Sequence, residues 1–215
     1  MKIIISDDAE EFFNHQMKAI LRSIFYMPGV IIHELAHHLF CIIFKTKVID
    51  VCYYNFKDSS GYVLHHRPKH LYQEILISTA PFFINSFIGG LVAYPTVTNK
   101  LSTTGLLSIN WQDFLRIIIS ISIGMNAIPS NRDGLNVWNS VGNSDMNFFL
   151  KIFSQLIIAP LFFVIYLLNF GSSYLRIDLL YGVLVCFIGP KFINFKYLEV
   201  IKEFINGFQN FQFLK

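Results

Sequence analysis

The chain has 215 residues, 53% of them hydrophobic and only 14% charged, with 23 phenylalanines and a formal net charge of +3. Ordinary soluble domains carry about 25% charged residues, so the composition is that of an integral membrane protein, and the small charge without a basic run argues against a nucleic-acid partner. Cys41, Cys52 and Cys186 are odd in number and widely spaced, which leaves no disulfide framework and no CxxC metal site.

The first residues, MKIIISDDAEEFF, follow three isoleucines with four acids in five positions. That interrupts any signal-peptide core, so the first hydrophobic helix is expected to stay in the protein. Asp7 to Arg22 reads as an amphipathic lead-in helix, acidic first and basic last, as the helix dipole favours. Leu21 to Phe44 is apolar over 24 residues, long enough to span a bilayer, with Pro28-Gly29 as a kink or a true start. Between Lys45 and His70, TKVIDVCYYNF and GYVLH flank KDSS, which predicts a strand pair with a polar turn.

A second helix is expected over Leu71 to Tyr94 and a third over Phe114 to Ile128, the latter ending in NAIPSNRDG. Phe148 to Phe170 makes a comfortable span and Leu175 to Ile188 a marginal one. In the tail, Leu198, Ile201, Ile205 and Phe208 fall at helical spacing, the pattern of an interfacial helix. The expected organisation is a lead-in over residues 1–22, a core over 23–145 and accessory helices with the tail over 146–215. Five Lys or Arg lie in the Lys45 to His70 loop and four after Gly189. With five spans this places the amino terminus outside and the carboxyl terminus in the cytoplasm.

The stretch PGVIIHELAHHLFC sets ionisable groups in apolar surroundings, where each costs a few kcal/mol and usually has a task. His33 and His37 are four residues apart, so on a helix they point within about 40° of one another and can share a metal ion. Neutral imidazole suits zinc, and Glu34, one position along, stands where a carboxylate can take and pass on the proton of an attacking water. A catalytic zinc usually needs a third protein ligand. Asp133 is the candidate, because it directly follows a hydrophobic stretch and PSNRDG favours a break in helix. Asp113, Asp145 and Asp178 lack that setting. His38 is rotated off the metal face, and Cys41 reads as a small buried packing residue.

These residues resemble the site-2 protease family of intramembrane zinc metalloproteases. His33-Glu34-Leu35-Ala36-His37 matches its first motif; Asn126-Ala127-Ile128-Pro129 with Asp133-Gly134 is similar to its second. Ala80 to Asn85, APFFIN, is similar to the Gly-Pro…Asn motif of its middle helix. The spacings from Pro129 to Asp133 and from Pro81 to Asn85 each differ by one from the family pattern, so the chain reads as a divergent member. The resemblance covers about residues 25 to 140.

It implies a three-helix core with a membrane-associated β-hairpin, which with the two further hydrophobic helices read from the sequence makes an all-α polytopic membrane fold. It also implies Zn2+ held by His33, His37 and Asp133, with Glu34 catalytic. The substrate would be a membrane-spanning protein in the lipid bilayer, its cleaved segment unwound and held at the edge of the strand pair. Asn85 and Asn126 would orient substrate backbone or hold a ligand in place, or else simply bond between helices.

Two other classes compete. HELAHH and HHRPKH look like the histidine boxes of di-iron membrane hydroxylases and desaturases, but those need about eight histidines, and this chain has seven with none after His70. The other is an inactive protease-like scaffold, against which stands the intact His33, Glu34 and His37 set. A transporter is weaker, for want of repeat symmetry.

Overall fold

The computed structural model describes residues 7–102, 105, 108–142 and 147–193. Among these, α1 runs Asp7–Ile43, β1 Val48–Asn55, β2 Ser60–His65 and α2 Leu71–Thr96, the last continuing into a π-helical turn over Val97–Leu101. Then come α3 Trp111–Met125, α4 Asn131–Gly142, α5 Phe148–Leu175, α6 Ile177–Phe187 and the single turn α7 Gly189–Phe192. The chain is mostly helical, with one small two-stranded sheet. The expected interfacial helix of the tail and Asp145 lie outside the described residues.

Three helices, over Phe13–Ile43, Leu71–Thr96 and Phe148–Leu175, are long and apolar enough to cross a membrane. Of the five expected spans, these are the three that reach spanning length among the described residues. At 15 residues α3 reaches only about 22 Å and α6 less, against about 30 Å of hydrocarbon. The lead-in and the first hydrophobic stretch run on as one helix, α1, of 37 residues with Pro28 inside it.

Although short, α3 is the central post, packed against α1, α2 and α6. Small residues let the backbones close in, as they do where apolar helices meet. A Cβ at Gly29 on α1 would stand 2.1 Å from the Ser122 carbonyl oxygen of α3, and one at Gly182 on α6 would stand 2.6 Å from the Ile121 carbonyl oxygen. The Gly29 amide donates to Ser122 Oγ at 3.2 Å across the same crossing. Because Gly29 lies one turn before His33, this crossing sets how far His33 stands from the end of α3. Gly29→Ala is therefore expected to push α1 off α3, to cost about 1–3 kcal/mol of stability and to loosen the site one turn away. Thermal unfolding in detergent, read beside metal retention, checks this; an unchanged midpoint would refute the close crossing.

Asp113, which the sequence sets aside as a metal ligand, lies in the first turn of α3. It caps Asn110 reciprocally, through bonds of 3.0 and 3.2 Å, and pairs with Lys100 at 2.5 Å and Arg116 at 3.1 Å. The Asn110-x-x-Asp113 spacing is that of a capping box. Its carboxylate is structural.

The predicted hairpin forms, with Val51 opposite Val63 and Cys52 opposite Tyr62. Its turn is closed by Asn55, whose side-chain oxygen accepts from the Lys57 amide at 3.0 Å, and by Ser59 in left-handed conformation. A register irregularity lies between Cys52 and Asn55, and the two tyrosines within it, Tyr53 and Tyr54, both reach α1. Tyr53 meets His38 Nδ1 at 2.5 Å, and the Tyr54 hydroxyl donates to the Ser23 carbonyl at 2.6 Å. His38 thus anchors the hairpin.

Candidate metal centre

His33 and His37 lie on one face of α1, and each ring is oriented from its far side. The His33 Nδ1–H donates to the Asn126 carbonyl at 2.6 Å, and the His37 Nδ1–H donates to the Ile77 carbonyl at 2.8 Å. A carbonyl can only accept, so both Nδ1 atoms carry a proton, and in the neutral rings both Nε2 atoms present lone pairs. Those two Nε2 atoms stand 3.1 Å apart. Neutral lone pairs facing each other at that distance repel unless something positive lies between them.

Asp133 closes the third side. Its Oδ1 lies 3.4 Å from His37 Nε2 and its Oδ2 lies 3.8 Å from His33 Nε2. All three ligand atoms fall within 4.8 Å of one another. Tetrahedral zinc with bonds of about 2.0–2.1 Å sets its ligand atoms about 3.3 Å apart, so the group fits one such ion. The oriented rings supply the fixed tautomer that metal-ligating histidines need.

The chain break predicted around PSNRDG occurs at residues 126–130, but Asp133 itself sits in the first turn of α4. Ser130 is why. Its amide and hydroxyl both donate to Asp133 Oδ2 at 2.7 Å, and its Oγ accepts the Asp133 amide at 3.2 Å. The sequence reading missed Ser130, though S-x-x-D is itself a helix-start signature. Asp133 is thereby held by the turn that starts its own helix. Gly134 then admits α5, since a Cβ there would meet Ile165 and Phe162 at 3.3–3.4 Å. From α5, the Asn169 amide donates to the Pro129 carbonyl at 2.8 Å, fixing the turn from outside. Helix α5, beyond the reach of the sequence motifs, therefore braces the turn that carries Asp133.

Glu34 is 8% exposed and lies beside the group without belonging to it. A Cβ at Gly61 on β2 would come within 2.5 Å of Glu34 Cγ. Glycine here lets the hairpin lie directly on the carboxylate, a contact that no sequence pattern announced. Asn85 is fully buried, and its amide donates to the carbonyls of Gly29, Ile123 and Asn126 at 3.1–3.2 Å. It does not line the cavity described below, so its place is a clamp between α1 and α3. Through Asn126 it steadies the same carbonyl that orients His33. Asn126 does line the cavity, and its side chain donates to the Ser122 carbonyl at 2.9 Å.

Around the group opens a cavity of about 990 Å³, bounded by α1, the length of β2, the start of α2, and polar residues of α4 and α5. Cys41 is fully buried and stays outside the group, as do His65, His66 and His70 near the hairpin's end. No family model, no curated protein and no solved structure matches this chain.

What the arrangement can do follows from its own chemistry. Two neutral imidazoles and a carboxylate can hold one divalent ion, and a separate carboxylate stands free beside them to carry a proton. The cavity is large enough for an extended peptide.

Proposed function

We propose that the chain is a membrane-embedded zinc metalloprotease of the site-2 kind, which hydrolyses peptide bonds in or near membrane-spanning segments of protein substrates. The observation that carries this reading is the meeting of His33, His37 and Asp133, from helices α1 and α4, with Glu34 beside them. Three helices of spanning length and apolar composition support a site inside the bilayer. The arrangement of α1, α2 and α3 around it is in keeping with the three-helix core that the sequence motifs imply.

Zinc held by His33, His37 and Asp133 would supply Lewis acidity and make water nucleophilic near neutral pH. Glu34 takes the proton from the attacking water as its oxygen bonds to the scissile carbonyl carbon. It then delivers that proton to the leaving amide nitrogen as the C–N bond breaks. The Asn126 and Ile77 carbonyls keep the histidine rings aimed, and Ser130 keeps Asp133 aimed.

A substrate helix must unwind first, because its carbonyls are hidden in hydrogen bonds. Among the described residues β2 pairs only with β1 and lines the cavity from Ser60 to His65. Its outer edge is suited to take an unwound segment as a further strand.

The test is cleavage of a pool of apolar transmembrane-length peptides by the detergent-purified protein, followed by mass spectrometry. Cleavage is expected to stop on chelation and to return when zinc is restored. A zinc-loaded protein that binds these peptides and leaves all of them whole would favour the inactive scaffold and end the protease reading.

A further inference from the structure

One buried carboxylate in the cavity has no part in the chemistry above. Glu74, in the first turn of α2, is 3% exposed and lines the cavity. Ser140 of α4, Arg67 and His65 line the same cavity around it. Arg67 also donates to the Ser140 backbone carbonyl, tying the hairpin's exit to α4. Yet Glu74 Oε1 is buried with no hydrogen-bond partner among the described residues. A buried carboxylate oxygen without a donor is costly, and native proteins rarely leave one so.

Two rails connect this cluster to the metal centre. Along α4, Asp133 and Ser140 are seven residues apart, about 10 Å at 1.5 Å per residue. Along β2, Gly61 lies against Glu34, and His65, on the lining of the same cavity as Glu74, is four residues or about 13 Å further on. An extended peptide advances about 3.3 Å per residue, so a chain cleaved beside Glu34 and running between these rails reaches Glu74 three or four residues from the broken bond.

We propose that Glu74, with Ser140, Arg67 and His65 around it, is a specificity subsite that reads an Asn or Gln side chain three or four residues from the scissile bond; this rests on the proteolytic reading. The carboxamide N–H completes Glu74 Oε1. A neutral donor fits better than a Lys or Arg, because Arg67, held on the Ser140 carbonyl, already puts a cation into this part of the cavity and would repel a second. A carboxamide is also far cheaper than a charge to carry in a membrane-spanning substrate.

The test uses Leu/Ala peptides of about 25 residues with a central Gly-Ser break and Gln, Leu or Glu placed in turn at each position around it. Binding is measured on zinc-loaded Glu34→Gln protein and cleavage on wild type. At one position, three or four residues from the cut, Gln is expected to exceed Leu about tenfold in both readouts, the worth of one good hydrogen bond. Glu there is expected to be the poorest, repelled by Glu74. The isosteric Glu74→Met should erase the ranking, and the order Gln over Leu over Glu in wild type tests the idea even if that variant does not fold.

Cleavage without this ranking, or with the ranking kept in Glu74→Met, overturns the subsite and leaves the protease standing. Ranked binding with no cleavage by wild type keeps the recognition and overturns proteolysis. Unranked binding with no cleavage overturns both.

Discussion

Glu34→Gln is expected to lower peptide hydrolysis about a thousandfold, within the usual range for loss of a general acid–base group, while the protein keeps one zinc per chain. The two halves of this result come from different parts of the geometry. Glutamine has the same shape as glutamate, so the close contact of Gly61 with Glu34 Cγ survives the change. The atoms that could hold the ion belong to His33, His37 and Asp133, none of which the substitution touches. What disappears is the only feature that needs a carboxylate: its capacity to accept a proton from water and pass it to the leaving nitrogen. Metal analysis on the same preparation used for the cleavage assay separates the two. Hydrolysis at the wild-type rate would remove Glu34 from its role, whereas lost zinc would move it into the ligand set.

HELAHH was legible because a helix of 3.6 residues per turn aligns i and i+4 by geometry alone. Spacing within one element needs no tertiary knowledge. Asp133 was legible for a weaker reason, its place at the end of an apolar stretch, and its true setting differs: the first turn of α4, pinned by Ser130. The capping box there was readable, as was the one at Asn110 and Asp113, but both lay in segments taken for loops because loop-forming residues are also cap-forming residues.

The rest could not be read from sequence. The Asn126 and Ile77 carbonyls that aim the histidines are backbone groups, which any residue type would supply. Gly61 over Glu34, and Asn169 on the Pro129 carbonyl, join positions 27 and 40 residues apart with no local pattern to mark them. Nor could the sequence show that the third apolar stretch becomes a 15-residue helix at the centre of the bundle, shorter than the stretch itself suggests a membrane span to be.

Asp133→Ala is expected to weaken zinc retention more than 100-fold, beyond the 10–100-fold typical of losing a group that only orients a ligand. Two histidines remain in that variant, still aimed by their carbonyls, but their facing lone pairs hold an ion by two bonds instead of three. Ser130→Ala belongs in the same titration. It removes the hydroxyl on Asp133 Oδ2 and the acceptor for the Asp133 amide, yet leaves the carboxylate in place. Its loss should therefore fall within 10–100-fold. The order wild type, Ser130→Ala, Asp133→Ala in a chelator competition is the signature of a carboxylate ligand held by its own helix cap. Were Asp133→Ala to resist chelator as well as wild type does, the carboxylate would be no ligand. The metal, if bound at all, would then have to draw its third partner from elsewhere in the cavity, with Glu34 the closest carboxylate in sequence to the two histidines.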